Sequence, residues 1–201
     1  MIDVRQITRL HETTVRRWHE SGIDNPYEGF LALVCAQHQQ NYRLWHQEDI
    51  ARSLDASDAE IAQVKRNIDR LNQDRNNSIE ALDEALIDQL ATLGVSARPD
   101  ARLNTETPGS AIDRLSILAL RIYHMREQAE RADAPKQHRE TCREKLDVLG
   151  QQQADLARSL EELLDDVVAG RKLLRIYRQF KMYNDPATNP CLYEARERSA
   201  A

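Results

Sequence analysis

The chain has 201 residues, 41% hydrophobic and 30% charged, with a formal net charge of −5. That is enough apolar material for one domain with a real core, and the interleaved acids and bases leave no basic footprint for nucleic acid. Cys35, Cys142 and Cys191 are scattered with no CxxC pair, which fits reduced thiols and excludes a disulfide framework or a zinc knuckle.

The start "MIDVRQITRL" lacks a signal-peptide pattern, and no apolar run approaches the roughly 20 residues that span a bilayer. A cytoplasmic protein without membrane insertion is expected. Aromatics are 5%, while Ala, Leu, Arg, Glu and Gln, which lose little freedom in helices, abound. The expected fold class is all-α: a single helical domain over 1–201, an elongated antiparallel bundle of about five helices with one very long C-terminal helix.

The first helix is expected over 3–20, with Ile7, Leu10, Thr14 and Trp18 on one side, until "GIDNP" breaks it. Asn25, Pro26 and Glu28 resemble a capped start for a second helix over 26–53. Ser57 and Glu60 form a capping box for a third, over 58–93. Residues 94–109 are rich in turn formers, and a loop of that length is often functional. Thr107 or Ser110 can cap a fourth helix, 110–132, whose "AIDRLSILALRIYHM" is apolar nearly all round, as a central helix is. The fifth is expected over 134–181, about 70 Å if unbroken. The tail, 182–201, carries Tyr183 and Asn184 in a turn expected to dock back on the bundle.

The polar residues make the pattern informative. On the second helix Phe30, Leu33, Val34, Gln37, Asn41, Leu44, Trp45, Glu48 and Arg52 share one stripe, so polar groups interrupt a face that should be buried. On the third, Ile61, Val64, Ile68, Leu71, Leu82 and Leu86 make an apolar seam with Arg75 intruding. Beside it lies a strip containing Asp69, Asn72 and Asn76. Asn and Asp are poor helix-interior residues, so a strip of them implies partners. Asp113 falls between Ile117 and Leu120 in projection, and a buried carboxylate needs hydrogen bonds, an ion-pair partner or a metal.

Two functional readings follow. In the first, the bundle binds a phosphorylated or nucleotide-sugar molecule, with magnesium held by Glu48, Asp49, Asp69 and Asp113. Asn41, Asn72 and Asn76 orient the ligand, Trp45 stacks on a base or sugar, and Arg52, Arg75, Arg114 or Lys181 meets phosphate, with Tyr183 and Asn184 contributed by the tail. His38 and Glu48 are then the candidate catalytic groups, His38 as the base. In the second, the chain is a non-enzymatic adaptor or homodimer, its fifth helix pairing through Leu146, Leu149, Leu156, Leu160, Leu163 and Val167. Familiar catalytic motifs are missing: "HETTV" has Val15 where a zinc-protease helix needs its second histidine. His11 and His19, like His38 and His46, are eight residues apart, about 12 Å along a helix and too far for one ion.

The blocks "LHETTVRRWH", "QHQQNYRLWHQEDIAR", "KRNIDRLNQDRNNSIEALD", "NTETPGSAIDRLSILALRIYHM" and "QFKMYNDPATNPCLY" resemble an uncharacterised bacterial family, domain of unknown function 4254. The resemblance implies a bacterial, all-helical protein linked to surface-glycan metabolism. It carries over no catalytic residues.

Overall fold

Capping begins most of the helices. The structure, a computed structural model, describes residues 2–179, 182, 185–192 and 194. Asp3 accepts from the Arg5 amide at 2.9 Å and opens α1, Val4–Ser21. Ser57 and Glu60 make the reciprocal box that opens α3, Asp58–Thr92. Thr107, with Pro108 behind it, opens α4, Pro108–Glu130. Each side-chain oxygen or proline removes part of the burden of unpaired first-turn amides.

The second helix departs from expectation. α2 spans Gly29–Ala51 and starts from Glu28 without a side-chain cap. Asn25 instead turns its amide to the Ala32 carbonyl at 2.9 Å, and the Asp24 carbonyl accepts from Trp18 Nε1 and Gln39 Nε2, each at 3.1 Å. Residues 22–28 therefore run back along α2 as extended chain rather than opening it. This segment lets α1 and α2 point the same way. His11 stacks near His38, Trp18 touches His38 and Tyr42, and His19 touches Tyr42 and His46, an order that only parallel helices produce.

α3 runs antiparallel to α4, with Arg75 at Asp113 and Asp83 at Gly109. The approach is close: a Cβ on Gly109 would lie 2.6 Å from the Ile79 carbonyl oxygen. α5, Lys136–Val168, has 33 residues, about 50 Å, and so stops short of the expected 181. Its end is fixed by Gly170, at φ +71°, whose carbonyl accepts from the Arg98 amide at 3.0 Å. Beyond it, β1 (Arg102–Leu103) and β2 (Lys172–Leu173) pair in parallel, tying the 94–107 loop across the end of α5. The loop thus serves as a clasp, which sequence periodicity cannot show.

The all-α fold is borne out. α4 is the centre and packs against α1, α2, α3 and α5, with Ile112, Leu115 and Leu120 almost wholly buried. Much of the apolar line on α5 is used inside the chain: Leu160 and Val167 are buried and Leu156 packs on the core. No helix among the described residues is long and apolar enough to cross a membrane.

Candidate functional site

The polar stripe of α2 divides in two. Its first half meets α4 inside the core. Asp113 is buried, and its Oδ1 accepts from Gln37 Nε2 at 2.6 Å, Asn41 Nδ2 at 2.9 Å and Arg75 Nε at 2.7 Å, while Arg75 Nη2 bonds Oδ2. The fork of hydrogen bonds holds the Arg75 guanidinium charged, its pKa raised by Asp113. Beneath it, Ser116 Oγ accepts from Asn41 Nδ2 at 2.9 Å and meets His38 Nδ1 at 2.6 Å. His38 lies between His11, 4.6 Å away centre to centre, and Trp18, 5.0 Å away, with 0% exposure. Burial pushes its pKa down to about 3. It is a neutral core imidazole and does not line the cleft that the rest of the α2 stripe opens into, which argues against its role as a base.

The second half of the stripe opens into a cleft of about 470 Å³ between α2, α3 and α4. Asn41, Trp45, Glu48, Asp49, Arg52, Asn72 and Arg75 line it, over a floor of Leu44, Ile117 and Leu120, with Arg121 on the α4 side. The structure thus brings together the predicted α2 residues, Asn72 and Arg75. Trp45 stands with one face stacked on His124 at 4.6 Å and 9°. Arg52 pairs with Glu48 at 2.6 Å, Arg75 is held by Asp113, and Arg121 has no ion-pair partner among the described residues.

Other predicted residues fall elsewhere. Asp69 pairs with Lys65 on an exposed turn of α3. Asn76 lines a separate cleft with Glu80, Asp83 and Glu106. Arg114 bonds Glu106 at 2.7 Å and lines a groove between α4 and α5 that meets the first cleft at Ile117 and Arg121. Lys181, Tyr183 and Asn184 lie outside the described residues. The magnesium set is therefore not assembled: Glu48 and Asp49 sit at the cleft, Asp69 is remote, and both oxygens of Asp113 are occupied by donors. Among the described residues, no group of three or more His, Cys, Asp or Glu side chains is placed to hold a metal ion.

Arg121 was missed because α4 is apolar nearly all round, so a single arginine on it reads as a solvated residue. The signal was its position, one helical turn beyond Ile117 on the face that carries Asp113, Ile117 and Leu120.

Residues 31–176 match the family described as a protein of unknown function, DUF4254. The chain belongs to that family. In this DUF4254 member the matched span contains every residue lining the cleft, while α1 precedes it. No curated protein and no solved structure matches the chain.

Proposed function

We propose that the α2/α3/α4 cleft binds a small molecule combining an anionic group with a flat ring, of the nucleotide or nucleotide-sugar class. The observation that carries this reading is Arg121 and Arg52 standing beside Trp45 in one cleft. A guanidinium presents paired donors that match phosphate or carboxylate, and an indole offers a broad apolar face for a base or sugar ring. Trp45 is held by His124 on one face, so its position is set before a ligand arrives. Arg52 is neutralised by Glu48 at 2.6 Å, which makes Arg121 the first anion contact and Arg52 a second, released from Glu48 on binding. Asn41 and Asn72 supply amides for orientation. A role in glycan metabolism belongs to this proposal, supported by the ligand class alone.

Thermal unfolding with a panel of nucleotides, nucleotide-sugars and sugar phosphates tests it. A ligand at 100 times its Kd stabilises the native state by about 2.7 kcal/mol. A rise in Tm for one class, lost in Arg121→Ala and Trp45→Ala, supports the cleft. A shift that survives both substitutions places binding elsewhere, and no shift from any of the panel defeats the proposal.

A further inference from the structure

The groove between α4 and α5 has a volume of about 680 Å³, more than the α2/α3/α4 cleft, and Ile117 and Arg121 line both. The two therefore meet, with Arg121 at the join. We propose that they form one binding site in which the groove holds a polyhydroxylated group, such as a hexose, so that the ligand is a nucleotide-sugar and not a free nucleotide. This inference rests on the reading of the cleft given above and narrows it.

Helical spacing builds the groove. On α4 and on α5 alike, the lining residues stand at i, i+3, i+4 and i+7, so each helix contributes one face. Apolar side chains make the floor: Leu118 is buried, and Ile117 and Leu156 are half-buried. Polar ones make the rim, with Gln152, Asp155 and Ser159 exposed along α5 and Arg121 exposed on α4. An apolar floor under a few polar groups is the build of a small-molecule site, where the polar groups fix orientation. A sugar ring has the matching surfaces, a C–H face and an edge of hydroxyls. The groove's volume lies within the range of about 300–1,000 Å³ usual for such sites.

The rim side chains are free to bind. Helical hydroxyls in this chain regularly bond back to a carbonyl four residues earlier, as Thr8, Thr14, Ser21, Ser78 and Thr92 do. Ser159 makes no hydrogen bond among the described residues, and neither does the Gln152 side chain. Asp155 accepts only from Gln151 Nε2, at 2.8 Å, a neighbour on its own helix. A carboxylate has room for about four such bonds, so most of its capacity is unused.

Charge favours hydroxyls over a second anion. Arg121 at the join can take one anionic group. Beyond it, Arg114 is already bonded to Glu106 at 2.7 Å, and Asp155 has no ion-pair partner among the described residues. A terminal phosphate entering the groove would meet Asp155 at like charge, an element that works against that ligand. A hydroxyl instead donates to the carboxylate in a charge-assisted bond. Gln152 and Ser159 each both donate and accept, as a sugar hydroxyl does.

The experiment is calorimetric titration of the full chain with uridine, guanosine, adenosine and thymidine diphosphates, each paired with its glucose, mannose or galactose conjugate. One conjugate should bind at least about 10-fold tighter than its parent diphosphate, the worth of one or two added hydrogen bonds. Asp155→Ala should reduce that preference by about 10-fold, and Gln152→Ala by a smaller factor. Trp45→Ala should weaken parent and conjugate together and leave the preference in place. In the wild-type protein, nuclear Overhauser contacts should run from the sugar protons to the Leu118 and Leu156 methyl groups, a readout free of any folding defect in a variant. If diphosphates bind and no conjugate binds tighter, or if the preference survives both α5 substitutions, the groove inference is overturned and the cleft reading stands. If Asp155→Ala abolishes the preference while Trp45→Ala changes no affinity, the groove holds sugar and the cleft reading fails at Trp45. If no diphosphate and no conjugate binds, both fall.

Discussion

The two halves of α2 carry the same kind of residue on the same stripe and put it to opposite use. In the first half, Gln37, His38 and Asn41 face α4 where Asp113 and Ser116 wait for them, and all five are buried. In the second, Trp45, Glu48 and Arg52 lie where α2, α3 and α4 leave a cleft, and the Glu48 and Arg52 side chains are 44% and 69% exposed. A polar residue on an apolar stripe is structural when the facing helix supplies its partner. It is available for binding when its only partner is a neighbour on its own helix. Spacing cannot separate the two cases, because the difference lies in the opposite helix.

If the first half is structural, its keystone is Asp113. Asp113→Ala leaves the Arg75 guanidinium half-buried and the Gln37 and Asn41 amides without their acceptor. Breaking one side of such a pair costs about 3–5 kcal/mol, which urea denaturation would read directly. A loss below about 1 kcal/mol would mean that water replaces Asp113, and that this half is as open as the other.

Acid probes the same layer. Burial holds His38 down to about 3, and burial, with the His38 ring beside it, keeps His11 well below its ordinary value. The unfolded chain protonates both near pH 6.5 while the folded chain does not, so the unfolded state binds more protons below that pH. Their contribution is fully present above about 6.5 and is lost as pH falls toward the folded values. For His38 the slope is about 1.4 kcal/mol per pH unit, or about 3 kcal/mol by pH 4.5, and His11 adds to it in the same direction. His11→Phe keeps a ring beside His38 and removes one titration, so its acid limb should flatten. Equal slopes in the two proteins would show that His11 is protonated in the fold.

Much of the frame was legible because local rules set it. The Ser57–Glu60 box and the Thr107 cap stand where the sequence places them. The start of α2 was not legible, because Asn25 bonds Ala32 across a chain reversal that only the packing of Trp18 against Asp24 requires. The end of α5 was not legible either, since Gly170 is held by residues 96 and 98 of a distant loop. For the cleft, interruption of an apolar stripe pointed to Asn41, Trp45, Glu48 and Arg52, and intrusion into an apolar seam pointed to Arg75. The contacts of His19 with His46 and His124 were not legible, because spacing along one helix says nothing about two helices running in parallel.

Gly109 tests how tightly the structural half is built around its neighbours. Its amide donates to Asp83 Oδ1 at 2.7 Å, and an added Cβ would meet the Ile79 carbonyl at 2.6 Å. Backbone cannot yield as a side chain tip does, so Gly109→Ala should cost about 1–3 kcal/mol of stability. An unchanged denaturation midpoint would show that the N-terminus of α4 can slide away from α3.

At the open end the expected effect on stability nearly vanishes, and that is what identifies it. Glu48 and Arg52 form an exposed i,i+4 pair, a contact that contributes about 0.3–0.5 kcal/mol. Glu48→Ala should therefore leave the denaturation midpoint almost unmoved. It also frees the Arg52 guanidinium, so affinity for an anionic ligand should rise if Glu48 merely competes with it, and fall if the carboxylate itself binds. Calorimetry with a ligand found by the thermal panel separates these signs. A stability loss above about 1 kcal/mol would place Glu48 with Asp113, as a residue the fold requires.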